Sequence, residues 1–152
     1  MCGIAGISCT TEQAGRVAKL ISCLAHRGPD DYGQFVTADG RVALGHRRLS
    51  IIDLSDASHQ PMVDAASDVV LVFNGEIYNF RALRKELEAL GCRCHTAGDT
   101  EVLLKAYLTW GDQCVHRLAG MFAFAVWDPR SGELHLVRDA MGIKPLYMAS
   151  LP

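Results

Sequence analysis

The run Asp68-Val69-Val70-Leu71-Val72-Phe73-Asn74-Gly75-Glu76 decides the fold. Residues 69–73 are apolar without alternation, the pattern of a strand covered on both faces. Polar Asn74 and then Gly75 follow at once, so a rigid buried strand ends in groups able to donate hydrogen bonds. An Asn-Gly pair is also a common hairpin turn. Here a helix follows within a few residues, which makes the turn reading less favoured.

Downstream, Asn79 is placed to cap a helix with the apolar stripe Phe80, Leu83, Leu87 and Leu90, and Gly91 stops it. A second helix is expected from Asp99 or Thr100 to Gly111. Residues 121–128 and 133–138 read as a hairpin around Pro129-Arg130-Ser131-Gly132, and 145–149 as a last strand. Upstream, 53–61 is polar loop, and 32–38 with 41–46 flank Asp39-Gly40 as a hairpin. Residues 12–25 carry Val17, Ala18, Leu20, Ile21 and Leu24 at helical spacing, ending at His26-Arg27-Gly28-Pro29-Asp30, and residues 3–8 read as a short buried strand. Strands, two helices and more strands make an α+β layered sandwich, its sheets covered by helices.

The chain has 152 residues, enough for one domain with a sizeable core and too few for two. Fifteen Lys and Arg against seventeen Asp and Glu leave a formal net charge of −2. No basic field marks the chain for nucleic acid or an anionic membrane. No apolar run approaches the roughly 20 residues of a membrane span. The start MCGIAGISCTTEQ lacks the charged region and cleavage site of a signal peptide, so a cytoplasmic protein is expected. Six cysteines, at 2, 9, 23, 92, 94 and 114, could pair as three disulfides, but a reducing compartment argues against it. Most are expected as small buried hydrophobes. The six histidines lie apart, without the spacing of a metal site.

Cys2 is the exception by position. Removal of Met1 would leave it a free α-amine of pKa near 7.7–8, partly neutral at pH 7 and able to take a proton. Thiol and base would then share one residue. Any protein can carry Cys at position two, so position alone settles nothing.

Cys2 does not stand alone. Met1-Cys2-Gly3-Ile4-Ala5-Gly6, His26-Arg27-Gly28-Pro29-Asp30, His46-Arg47-Arg48-Leu49-Ser50-Ile51-Ile52-Asp53 and Asn74-Gly75-Glu76-Ile77-Tyr78-Asn79 occur in order. Asp99-Thr100-Glu101-Val102, Gly120-Met121-Phe122-Ala123-Phe124-Ala125, Arg138-Asp139 and Gly142-Ile143-Lys144-Pro145-Leu146-Tyr147 follow. Over essentially its whole length the chain resembles the glutaminase domain of glutamine-hydrolysing asparagine synthetases, class II glutamine amidotransferases.

The resemblance implies the four-layer αββα sandwich of N-terminal-nucleophile hydrolases, with residues 1–152 as one glutaminase domain ending before its final elements and without the synthetase domain. It implies hydrolysis of L-glutamine through a Cys2 thioester, with Asn74 and Gly75 as the oxyanion hole. Arg48, whose planar fork matches a carboxylate, would bind the α-carboxylate beside a wall of Leu49, Ser50, Ile51 and Ile52. Arg47 is expected as a solvated surface charge. Glu76 and Asp99 would accept the α-ammonium, although Asp99 also stands where a helix cap is ordinary. The segment itself would need no cofactor; ATP and Mg belong to a synthetase domain acting in cis or in trans, and a homodimer is compatible. Gly98 and Ala140 depart from the family pattern, where a small hydroxyl and a larger residue are usual. A non-catalytic glutamine-binding module, an amidotransferase for an acceptor other than aspartate, and a hydrolase of another amide stay open as rivals.

Overall fold

The computed structural model describes residues 2–9, 14–49 and 58–150. Strand β1 (Gly3–Ser8) is followed by a 3-10 turn (Ala14–Arg16) leading into helix α1 (Val17–Cys23). Next come β2 (Asp31–Val36), β3 (Val42–Arg48), a two-residue β4 (Met62–Val63) and β5 (Val70–Ile77). Helices α2 (Phe80–Ala89) and α3 (Asp99–Trp110) lead through a 3-10 stretch (Gly111–Arg117) to β6 (Gly120–Asp128) and β7 (Glu133–Arg138).

The strands form two antiparallel sheets, ordered β1-β3-β2 and β4-β5-β6-β7. Side chains alternate along a strand, so each sheet has two faces to bury. Between the sheets, Ile4, Phe35 and Leu44 meet Val70, Val72, Ala125, Trp127 and Leu134. On the outer face of the first sheet, Ile7 and Ala43 pack under Val17 of α1. The outer face of the second sheet carries Val69, Leu71, Phe73, Phe122, Phe124 and Val126 against Leu83 and Leu87 of α2 and Val102, Leu103 and Ala106 of α3. The layers run α–β–β–α, the α+β sandwich expected. Leu83 and Leu87, each under 5% exposed, contribute about 1.5–3 kcal/mol apiece by leaving water.

Both hairpins and the strand–helix order stand as expected. Among the described residues the first helix is shorter than 12–25 and buries only Val17 and Ile21, because α1 lies flat on β3 along one i, i+4 line. Leu90 is 59% exposed because α2 has ended before it. Asn79 makes no side-chain cap. Its amide instead donates to the carbonyl of Arg117 and accepts the N–H of Ala119, clamping the approach to β6. Residues 145–149 are not a strand: Pro145 has no N–H to donate, and Tyr147 and Met148 stand 91% and 81% exposed. Of the cysteines only Cys114 is fully buried, Cys23 is exposed, and all six are free thiols. No helix among the described residues is long and apolar enough to cross a membrane.

Candidate active site

The site begins with an incomplete edge. β4 pairs with β5 only at Val70 and Leu71, yet β5 runs on to Ile77. Beyond β4, side chains take over the backbone groups on that edge. Gln60 Oε1 accepts the N–H of Phe73 at 2.7 Å, His46 Nε2 bonds the carbonyl of Phe73 at 3.2 Å, and Asp99 Oδ2 accepts the N–H of Ile77 at 3.0 Å. Backbone groups alternate between a strand's two edges, so Gly75, midway between Phe73 and Ile77, presents its N–H on this edge too. The opposite neighbour agrees. Gly75 faces Phe122, whose own N–H and C=O are taken by Asp139 on the β7 side.

Gly75 can be nothing larger. A Cβ there would lie 2.3 Å from the carbonyl oxygen of Met121 and 2.7 Å from Phe122 Cα, both backbone atoms that cannot step aside. Asn74 has the parity of Val70 and Val72, so its side chain enters the gap between the sheets, where it is 5% exposed. The Asn-Gly pair is therefore part of a paired strand, opposite Ala123 and Phe122, and not a turn.

A cavity of about 130 Å³ opens here, lined among others by Cys2, Arg48, Leu49, Asn74, Gly75, Glu76 and Asp99. Cys2 precedes β1, and its Sγ accepts the N–H of Leu49 at 3.4 Å. The loop after α1 sets this corner. Arg27 Nε donates to the carbonyl of Cys2 at 3.5 Å, and Asp30 donates its N–H to the carbonyl of Arg48 at 3.1 Å. Gly28 makes that packing possible, since a Cβ would come within 2.5 Å of the Arg47–Arg48 peptide. Arg48 has the parity of Leu44 and His46 and faces the cavity, 7% exposed. Arg47 faces the other way, donating to the carbonyl of Ile21 in α1 at 3.0 Å and lying over the Tyr32 ring. It staples a helix rather than solvating the surface, because one residue of register puts it on the helix-covered face.

Asp99 opens α3, and the loop before it is held from both sides. Arg84 donates to the carbonyls of Thr96 and Gly98, while the Glu101 carboxylate accepts the N–H groups of His95 and Thr96. The Asp99 carboxylate serves both ends: it accepts the Ile77 N–H of β5 and lies against the N–H groups of the first turn of its own helix. The ordinary helix-start role and the link to β5 coexist. Burial raises its pKa, the Ile77 N–H pulls the other way, and the charge of Glu76 raises it further. A cation placed between Glu76 and Asp99 would relieve that repulsion. Burial likewise pushes His46 down to about 4, so its imidazole is neutral near pH 7.

Seven residues read from sequence thus share one cavity: Cys2, Arg48, Leu49, Asn74, Gly75, Glu76 and Asp99. Ser50, Ile51 and Ile52 lie outside the described residues. Sequence reasoning missed Gln60, Met121 and Lys144, which also line the cavity. Asp139 brings Lys144 there by accepting the N–H groups of Ile143 and Lys144, and Arg138 donates to the carbonyls of Gly142 and Lys144. The string Arg138-Asp139 before Gly142-Ile143-Lys144 was the available signal. Among the described residues, no group of three His, Cys, Asp or Glu could hold a metal ion.

Comparison with known proteins gives a consistent picture. Residues 1–152 match the glutamine amidotransferase domain family. A Mycobacterium bovis protein named "Putative asparagine synthetase (glutamine-hydrolyzing)" is 45% identical over 147 residues, covering 91% of this chain and 22% of that protein. Asparagine synthetase (glutamine-hydrolyzing) 1 of Bacillus subtilis is 40% identical over 157 residues, covering 99% of this chain and 24% of that protein. The chain thus spans less than a quarter of the length of these curated relatives. A solved glutamine phosphoribosylpyrophosphate amidotransferase from B. subtilis, complexed with ADP and GMP, superposes with TM-score 0.80 at 22% identity, over 95% of this chain and 38% of that one. The likeness is one of fold.

Proposed function

The chain belongs to the glutamine amidotransferase domain family, and from that membership we propose that it hydrolyses L-glutamine to glutamate and ammonia through a thioester on Cys2. One observation carries the reading: a nucleophile, two candidate oxyanion donors and charged groups for both ends of an α-amino acid line a single cavity.

With Met1 removed, the α-amine of Cys2 takes the thiol proton and the thiolate attacks the δ-carboxamide carbon. The carbonyl oxygen becomes an oxyanion, met by the Asn74 side-chain amide and the Gly75 N–H. Collapse breaks the C–N bond, and the protonated amine returns its proton to the leaving ammonia. Water then attacks the thioester, the amine taking its proton, and the thiolate is expelled with glutamate and reprotonated. Arg48 binds the α-carboxylate with Leu49 beside it, and Ser50, Ile51 and Ile52 are assigned to the same wall. Glu76 and Asp99 hold the α-ammonium.

The relatives' names extend the proposal: the ammonia passes to a synthetase unit, in cis or in trans, which amidates aspartate using ATP and Mg. A cytoplasmic setting fits this reading, since its substrates are small polar metabolites. The deciding experiment compares ammonia release from glutamine by the wild-type chain and by Cys2→Ala, with intact mass reporting whether Met1 is gone. Wild-type turnover abolished in Cys2→Ala supports the proposal. Turnover surviving Cys2→Ala, or occurring with Met1 retained, rejects it.

A further inference from the structure

We propose that His46 is a positioning residue for the oxyanion hole: from the facing sheet, it holds the Phe73 carbonyl and so sets the peptide that precedes the two donors, Asn74 and Gly75. The inference rests on the glutaminase reading above.

The geometry is specific. His46 lies on β3, is 0% exposed and points across the gap between the sheets. Its Nε2 lies 3.2 Å from the Phe73 carbonyl oxygen, on the edge of β5 where β4 has already stopped. A carbonyl oxygen only accepts, so Nε2 carries the proton. Its partner across the same peptide unit is the N–H of Asn74, which faces β6. Fixing the carbonyl therefore fixes the plane from which the Asn74 side chain leaves, and with it the next peptide, which carries the Gly75 N–H. Gln60 holds the N–H of the same Phe73 at 2.7 Å, so both backbone groups of the residue before the donors are pinned by side chains.

The other ring nitrogen shows what this histidine is for. Nδ1 is buried with no hydrogen-bond partner among the described residues. An orphaned buried acceptor is a cost that an apolar residue, such as neighbouring Leu44 or Val70 in the same gap, would avoid. The Nε2–H donor is the one thing those residues cannot supply. Burial also keeps the ring neutral near pH 7, and the Phe73 carbonyl selects the tautomer with its proton on Nε2.

The test separates positioning from general integrity. Steady-state ammonia release is measured for the wild-type chain, His46→Phe and His46→Gln, alongside alkylation of Cys2 by iodoacetamide followed by peptide mass spectrometry. Alkylation is a direct displacement that forms no oxyanion, so it reports the nucleophile alone. His46→Phe is expected to lower kcat about tenfold or more, with KM within about threefold and alkylation within about twofold of wild type. His46→Gln, which can place an N–H at the same reach, is expected to recover kcat to within about threefold of wild type. A folded His46→Phe with wild-type kcat overturns the inference. So does a kcat that falls in step with alkylation, or a folded His46→Gln as slow as about one-tenth of wild type. A wild-type chain that releases no ammonia overturns the glutaminase reading itself; turnover in the wild type beside an unaffected His46→Phe overturns this inference alone.

Discussion

Asp99, at the start of α3, accepts the backbone N–H of Ile77 in β5 at 3.0 Å, so the carboxylate assigned to the substrate's ammonium also closes the strand edge beside Gly75. The two duties can be separated. Asp99→Asn keeps an oxygen for Ile77 and removes the charge. A hydrogen bond to a charged group is worth about 1.5–3 kcal/mol, so KM for glutamine should rise about 10- to 150-fold. Stability to urea should change little and kcat less than KM. An unchanged KM would remove Asp99 from the binding site.

Gly75→Ala sets a side chain against immovable backbone. With the added Cβ 2.3 Å from the Met121 carbonyl oxygen, β5 and β6 must part. Glutaminase activity should fall by about 10² or more, and stability by more than about 2 kcal/mol. Gly15→Ala, where a Cβ meets nothing within 4 Å, serves as the control and should change neither. Full activity in Gly75→Ala would refute the placement of the oxyanion hole on this strand.

Asn74→Ala removes a donor without touching the ends of the amino acid. Loss of one oxyanion donor lowers kcat by about 10²–10³, and KM should stay within a few-fold. A change confined to KM would instead make Asn74 a ground-state binding group.

The buried His46 predicts a pH dependence of stability. Its folded pKa of about 4 lies below its ordinary 6.5, chiefly through burial, with Arg48 and His59 lowering it and the Phe73 carbonyl and Asp31 opposing. Between these two values the unfolded chain binds the extra proton, so stability rises as pH climbs from about 4 to 6.5 and falls on acidification through that window. The full contribution is of order 3 kcal/mol. Urea unfolding at stepwise pH should show this slope in the wild type and a shallower one in His46→Phe. Equal slopes would mean that the imidazole titrates normally.

Local patterns carried much of the fold. The unbroken apolar run at 69–73 reads as a strand with two covered faces because no water-facing alternation interrupts it, and both hairpins are marked by their turn residues. The cavity was legible where chemistry dictates residue type: a thiol, an amide donor, an Arg fork and paired carboxylates. The rest depends on contacts distant in sequence. Gln60 and His46 complete the edge of β5 from other elements, which no periodicity encodes. Lys144 enters the cavity only because Asp139 curls the loop ahead of it. Asn79 has the composition of a cap, but the backbone at 117–119 offered it better-placed partners.

Strand parity divides the adjacent arginines, Arg47 to the carbonyl of α1 and Arg48 to the cavity. The arrangement is a reading frame in three dimensions. Deleting one residue within β3 while keeping its pairing with β1 would send Arg48 under the helix and leave a different side chain facing the substrate, although every functional residue would still be present in the chain. Substitutions can tune this site one position at a time, whereas a single insertion or deletion rewrites it at once. Variation in length is therefore expected to collect in the connections between strands and to be purged from β3 and β5.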